Sequence, residues 1–471
     1  MPDPVSLAQA SRFWLRLGWV SFGGPAGQIA LLHQELVDRR RWLSERRFLH
    51  ALQYCMLLPG PEATQLAAYL GFLMHGVPGA LVAGGLFLLP SVLVLLGLAS
   101  VYAVWGQLPL LSAVFWALRP VVLAVVLVAC WRLARRTLKR PLQPVLATLA
   151  LVAVELWRLP YPLILLLVAV SGWLAGRWWP NLILEPAANP SQPSRSDAEA
   201  EPSEPGASAP GAAAPSSRRQ PQPRAAEPDS GDFIHGDHTA SPRHARFSPR
   251  GLALTLLVWA LALALPLLLL SLLDGWQGLL ATMARFFTQV AFLSFGGAYA
   301  VLPYVAQGAV ERFGWLTASQ MVDGLALGET TPGPLIMVVA FVGFMGGWQQ
   351  GLASGPGSWS SGLAALLTSV WFTFLPSFGF ILAGAPLVEA SRGDLRLAAP
   401  LAAITAAVVG MIAALALFLA GPALWPGGRL DPLALLLLAG GLLLLLAARW
   451  SVIQVIAAAA GLGLLKLLLP A

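Results

Sequence analysis

Charge is scarce in this chain of 471 residues, of which 11% are Asp, Glu, Lys or Arg. Soluble domains carry roughly 25%, so an ordinary water-soluble fold is excluded. With 57% of residues hydrophobic, the surface must face lipid as well as itself. There are two cysteines, Cys55 and Cys130, each in an apolar segment. They form no metal pair and no redox motif, and they read as packing residues. Of the six histidines, His235, His238 and His244 fall in a polar stretch where nothing orders them as ligands. No H-E-x-x-H pattern, nucleophile with a base, or P-loop is visible, which argues against a membrane-embedded enzyme and against ATP-driven pumping by this chain alone. The net charge of +7 lacks interleaved aromatics, so it reads as positive-inside bias rather than a nucleic-acid footprint. The N-terminal "MPDPVSLAQASRFWLRLGW" lacks a charged region followed by an apolar one. It reads as a surface-lying helix, not a cleavable signal.

What is abundant is apolar sequence. Runs at 80–104, 111–131, 141–157, 161–178, 251–272, 362–388, 397–421, 432–448 and 450–468 are long enough, or nearly so, to span a bilayer. Two further pairs, 11–32 with 48–75 and 284–308 with 320–347, are apolar but interrupted by Gly and Pro. Eighteen tryptophans suit membrane–water interfaces. Residues 181–250 are rich in Pro, Ala, Ser and charge; this composition buries no core and predicts a disordered linker.

The chain repeats itself. Ser21-Phe22-Gly23-Gly24 recurs as Ser294-Phe295-Gly296-Gly297, Trp42-Leu43 as Trp315-Leu316, and Pro59-Gly60-Pro61 as Pro332-Gly333-Pro334, at one offset of 273 residues. Leu89-Pro90-Ser91 recurs as Leu375-Pro376-Ser377 at an offset of 286, the 13 extra residues matching "WQQGLASGPGSWS" at 348–360. The expected organisation is a first repeat over 1–180, the linker over 181–250, an extra transmembrane helix over 251–272 and a second repeat over 273–471. Loop charge then predicts orientation. "HQELVDRRRWLSERRF" carries five arginines and its counterpart "AQGAVERFGWLTAS" carries one, Arg312. "WGQLPL" is uncharged while "EASRGDLR" holds Arg392 and Arg396; "WRLARRTLKR" has five basic residues and "GPALWPGGRLD" one. Basic loops face the cytoplasm, so the halves are expected upside down relative to each other. The expected fold is an all-α polytopic membrane protein of two homologous halves in inverted topology, with Gly/Pro-broken membrane segments. That plan is a signature of secondary transporters, with the site near the midplane.

The motifs "SFGGPAGQI", "LLPGPEATQLA", "AGGLFLLPS", "SFGGAYAVLPY" and "GETTPGPLIMVVAFVGF" resemble the chromate ion transporter family in its long, two-domain form. The resemblance covers both halves. It implies a multi-pass protein of the bacterial inner membrane, not an enzyme, that exports chromate from the cytoplasm and confers chromate resistance. Sulfate or molybdate are alternative oxyanions, and a channel is a further alternative, because broken helices also build pores. The implied partners are the oxyanion and membrane lipid; no nucleic acid, metal or cofactor is expected, and the assembly, a homodimer included, stays open.

The breaks carry the chemistry. Pro61 suits the start of a half-helix, leaving the amides of Glu62, Ala63 and Thr64 without intrahelical partners. Gly60 lets an anion approach the backbone, and such a helix end carries roughly half a positive charge. Pro334 does the same for Leu335 and its neighbours, with Gly333 as the counterpart of Gly60. Gly23, Gly24, Gly296 and Gly297 offer two more breaks. The bland reading is that these residues only kink helices; two kinks at matched positions in both halves favour a site. Glu62 and Glu329 are either dipole partners or proton-coupling groups. Thr64, Gln65, Thr330 and Thr331 can bond oxyanion oxygens or serve structure alone. Arg119, deep in apolar sequence, is a binding candidate unless it snorkels to an interface. Arg16 and Arg285 read as interface anchors. Reporter tags placed after Arg47 and after Trp315 are expected on opposite sides of the membrane, the first cytoplasmic. Both tags on one side contradict the inverted arrangement.

Overall fold

The structure is a computed structural model that describes residues 5–22, 24–183, 233–234, 242–245, 247–295, 297–352, 355–390 and 398–468. Gly23, Gly296, His235, His238, Arg392 and Arg396, all singled out above, lie outside these residues. Among the described residues there are helices and no strand.

The first half runs α1 (Leu7–Val20), α2 (Gly24–His33), a π-helix (Gln34–Arg39), α3 (Glu45–Leu57), α4 (Glu62–Trp105), α5 (Pro109–Thr137), α6 (Leu142–Glu155) and α7 (Tyr161–Trp178). After the linker comes α8 (Pro249–Asp274). The second half then repeats the order: α9 (Leu279–Leu293), α10 (Ala298–Ala306), a π-helix (Gln307–Arg312), α11 (Ala318–Thr330), a 3-10 turn (Leu335–Met337) into α12 (Val338–Gln350), α13 (Trp359–Ala390), α14 (Ala398–Leu424), α15 (Pro432–Leu446) and α16 (Val452–Leu468). Even the π-helices recur at the 273-residue offset.

α4 is one helix in name only. His75 (φ −136°) and Gly76 (φ +67°) leave helical geometry. A methyl placed on Gly84 would lie 3.4 Å from the Ala68 Cβ, whereas sixteen residues of straight helix span about 24 Å. The chain therefore reverses at Gly76, and 62–75 lies antiparallel to 77–105. The second half builds the same hairpin from α12 and α13, with Gly343 against Ser369 and the extra loop at its tip. The sequence-expected division into separate segments around position 76 agrees with this path.

Among the described residues, six helices are long and apolar enough to cross a membrane: α4, α5, α7, α8, α13 and α14. Three expected spans are shorter than their apolar runs. α6, α15 and α16 have 14, 15 and 17 residues, and 14 residues reach only about 21 Å. The matched arginines Arg158 (φ 47°) and Arg449 (φ 55°) adopt the left-handed region just after α6 and α15, so each helix ends before its hydrophobic stretch does. α8 has no buried residue and lies on the outside against α9 and α13.

The halves interlock. α14 packs on α6 and α7 of the other half, and α5 packs on α15 and α16. Small residues permit these crossings, as expected where lipid removes the hydrophobic drive between helices. Gly410 sits against the Ala147 carbonyl, Gly172 against Ala403, and Gly463 against Ala113. Four residues of the expected linker also dock on the first half. Ile234 N–H donates to the Arg41 carbonyl at 3.2 Å, His244 Nε2 pairs with the Phe72 carbonyl at 2.9 Å, and Phe233 and Ala245 join the same apolar cluster.

One ion pair ties the halves together. Arg119 on α5 donates from Nε and Nη2 to both oxygens of Asp323 on α11, at 2.8 and 2.9 Å. Tyr102 Oη donates to Asp323 Oδ2 at 2.7 Å. Asp323 is 1% exposed, so these donors replace the water its carboxylate oxygens would otherwise bond. Removing one member of a buried pair costs about 3–5 kcal/mol, while replacing both by apolar residues is often neutral. Arg119→Met is therefore expected to lower the melting temperature of the purified protein strongly, and the double variant Arg119→Met/Asp323→Leu to recover more than half of the loss with little change in substrate affinity. A double variant whose loss equals the sum of the single ones, with impaired substrate affinity, would show that Arg119 does more than hold Asp323.

Candidate functional site

The breaks in the two halves bond to each other. The Gly60 N–H donates to the Ser294 carbonyl at 2.8 Å, and the Gly333 N–H donates to the Ser21 carbonyl at 2.6 Å. Each Pro-Gly-Pro turn is thus capped by the Ser-Phe-Gly-Gly break of the opposite half. The reciprocity is that of an isologous, two-fold contact. The same break also faces its own half: α2 touches α4, α10 touches the 335–337 turn, and α4 touches that turn. Each turn therefore sits against a break of the opposite half, and α4 reaches the second turn through Ser91.

Local sequence dictates each piece. Pro61 and Pro334 occupy the N-cap positions with extended backbone and no side-chain cap, so the first amides of each half-helix keep their hydrogen-bonding capacity. Gly60 (φ +133°) and Gly333 (φ +101°) sit where side chains are strained. A Cβ on Gly60 would collide with Ser377 Oγ and Gln65 Nε2, and one on Gly333 with Ser91 Oγ. The Leu-Pro-Ser serines of the hairpin helices thus reach beneath the turn of the other half.

There the symmetry breaks. Ser91 donates to the Pro332 carbonyl. The equivalent carbonyl, Pro59, is taken at 2.7 Å by Gln65 Nε2, and Ser377 Oγ is left without a partner. The position matching Gln65 in the second half is Val338, which has no amide to compete. Further orphans gather around the turns: Ser21 Oγ, Ser294 Oγ, Thr64 Oγ1, Gln65 Oε1 and Gln28 Oε1 are buried without partners. Gln28 Nε2 meets the Ser21 carbonyl at 3.4 Å. An orphaned buried polar group costs about 1–3 kcal/mol, so a cluster of them requires a partner, water included.

The acids are placed unequally. Glu62 lies on the first turn after Pro61, its Oε1 3.9 Å from where a Cβ on Gly297 would be. Its counterpart is Leu335. Glu329 ends α11 and accepts a 2.5 Å bond from Tyr299 Oη. Arg132 and Arg136 lie one turn apart near the C-terminal end of α5.

Of the sequence-derived candidates, the structure brings together Gly24, Gly60, Glu62, Ala63, Thr64, Gln65, Gly297, Glu329, Thr331, Gly333 and Leu335. Thr331 and Thr330 spend their hydroxyls on the Gly328 and Leu327 carbonyls. Arg119 is elsewhere: its partner Asp323 precedes Thr330 by seven residues, roughly 10 Å along α11, and its guanidinium is engaged. Arg16 and Arg285 are also apart from the breaks. Sequence reading missed Ser21, Ser91, Ser294, Ser377, Gln28 and Tyr299 as site residues. The four serines stood in the duplicated blocks, which was the available signal.

A model of the Chromate transporter family matches residues 8–173 and 281–464. A chromate transport protein of Pseudomonas aeruginosa is 29% identical over 427 residues, covering 89% of this chain and 82% of the relative. A chromate transport protein of Cupriavidus metallidurans is 26% identical over 404 residues, 86% of this chain and 82% of the relative. An uncharacterized transporter of Bacillus subtilis is 32% identical over 120 residues, only 26% of this chain but 67% of that protein. No solved structure matches. The family model thus accounts for both sets of repeated helices and for the breaks between them: the chain belongs to the chromate transporter family and is a multi-pass protein of the bacterial inner membrane.

Proposed function

We propose that this protein is a secondary transporter that exports chromate from the cytoplasm and so confers chromate resistance. The carrying observation is the pair of Pro-Gly-Pro turns, cross-bonded between halves and surrounded by unpartnered hydroxyls. Dehydrating a dianion is costly, so a site must replace its water. Amides at the half-helix beginnings and the hydroxyls of Ser21, Thr64, Ser294 and Ser377 supply donors that are fixed in place. Because none of these groups is a full positive charge, the ion is held without an ion pair and is free to leave. Gln65 Oε1 and Gln28 Oε1 are acceptors that suit a retained water.

Access runs from the basic end of α5, where Arg132 and Arg136 draw anions inward. Glu62 and Glu329 flank the breaks and carry the coupled proton. The halves, 1–180 and 273–471, are inverted repeats; α8 provides the extra crossing that inverts the second. Exchange of the site between membrane faces then needs only rocking of one half against the other about the turns.

Orphan hydroxyls separate binding from packing. If they serve only structure, deleting one damages the fold; if they wait for a ligand, deleting one removes a desolvation cost. Thr64→Val and Ser377→Ala are each expected to leave the melting temperature without chromate unchanged or higher. Each is expected to reduce chromate flux into inside-out vesicles by about tenfold, the loss of roughly one bond to a charged group. Wild-type flux in both variants would remove the hydroxyls from the binding site.

A further inference from the structure

A basic groove lies on the first half, along α1 and Trp42. α1 places Arg12 and Arg16 one turn apart on one face. Together with Arg40, Phe13 and Trp42 they line an open groove of about 440 Å³. The Arg40 guanidinium stacks over Phe13 at 4.6 Å and Trp42 at 5.2 Å. Arg40 also lies 3.5 Å from Glu35, which is bound more closely by Arg39 at 2.6 Å. Neither Arg12 nor Arg16 has an ion-pair partner among the described residues. Two unpaired guanidiniums facing a third repel one another unless an anion sits between them.

The second half offers an internal control built on the same scaffold. Phe286 and Trp315 replace Phe13 and Trp42, and Phe313 occupies the place of Arg40, stacking on Trp315 at 4.6 Å with 12° between planes. Arg16 becomes Gln289, which accepts from Tyr304 Oη at 2.9 Å. Arg285, matching Arg12, is engaged by the Trp276 carbonyl at 2.7 Å and the Trp276 ring at 4.3 Å. The aromatic framework thus needs no arginine at position 40. The charges of the first half are an addition, and they sit beside lipid-exposed apolar residues of α1, Leu7, Leu15 and Trp19.

We propose that the groove formed by Arg12, Arg16 and Arg40 binds the phosphate headgroup of an anionic phospholipid, with the acyl chains lying along the exposed apolar face of α1. Arginine suits phosphate because its planar fork bonds two oxygens at once. Basic pockets at the cytoplasmic side of membrane helices take such headgroups. The matching position on the second half, neutralised by Phe313 and Gln289, does not.

The test uses the purified full chain in neutral detergent. Phosphatidylglycerol is expected to raise its melting temperature by about 2–4 °C at saturation, and phosphatidylcholine to leave it unchanged. Arg12→Gln/Arg16→Gln is expected to lose at least half of that rise, and Arg285→Gln to keep it. Arg40→Phe installs the residue already used by the second half, so it is expected to fold and to lose part of the rise. Inorganic phosphate at millimolar concentration is expected to have no effect. An undiminished rise in the Arg40→Phe and double variants, an equal rise with phosphatidylcholine, or the same rise with inorganic phosphate alone would each overturn the proposal.

Discussion

The structure rests on how broken helices satisfy their backbone inside a membrane. Lipid offers no hydrogen-bonding partner, so irregular backbone persists there only where protein or an enclosed cavity supplies one. Here each half supplies the other. The Gly60 amide is capped by the Ser294 carbonyl and the Gly333 amide by the Ser21 carbonyl, so neither set of breaks is satisfied without the opposite one. A single repeat would leave its buried glycine amide unpaired, at about 1–3 kcal/mol. This reciprocity explains why each turn sits against a break of the opposite half and why the glycines have little room for substitution.

The rest of the fold keeps that junction in register. The hairpins at Gly76 and at the 351–358 loop bring the Leu-Pro-Ser serines beneath the turns. The crossing of α5 with α15 and α16, and of α14 with α6 and α7, leaves neither half a separate body. Glycine–alanine contacts such as Gly410 with Ala147 draw the backbones close, and the Arg119–Asp323–Tyr102 cluster pins α11, which ends at the second turn. Pseudo-symmetry positions the site, and departures from it furnish the chemistry. Gln65 takes the Pro59 carbonyl, and the Ser377 hydroxyl is left without a partner. Glu62 and the Glu329–Tyr299 pair stand where the other half has Leu335, Met56 and Ala26.

Much of this was legible in sequence because the signals are local. Proline and glycine announce where a helix breaks, and a fixed offset announces duplication. The half-helix expected to start at Pro61 starts one residue later, at Glu62, with Pro61 as its N-cap, and the segments on either side of Gly76 were separable by hydropathy. What sequence concealed depends on distant partners. Asp323 lies 204 residues from Arg119, so Arg119 read as an unpaired charge inside the membrane. Ser21, Ser91, Ser294 and Ser377 were visible in matched blocks, but a serine carries no mark telling a bonded hydroxyl from an orphan; the capture of Pro59 by Gln65 decides that, and it is a matter of geometry. The shortness of α6, α15 and α16 was hidden because each hydrophobic run extends one or two residues beyond its helix.

The most direct measurement is an experimental structure of the protein with chromate bound, using the anomalous scattering of chromium to locate the ion. The expected result is chromium between the two Pro-Gly-Pro turns, with its oxygens within hydrogen-bonding distance of Thr64 Oγ1, Ser377 Oγ and the amides that follow Pro61. Chromium at Arg119 or in the groove beside Arg12, with the turns unoccupied in a transport-competent protein, would contradict it.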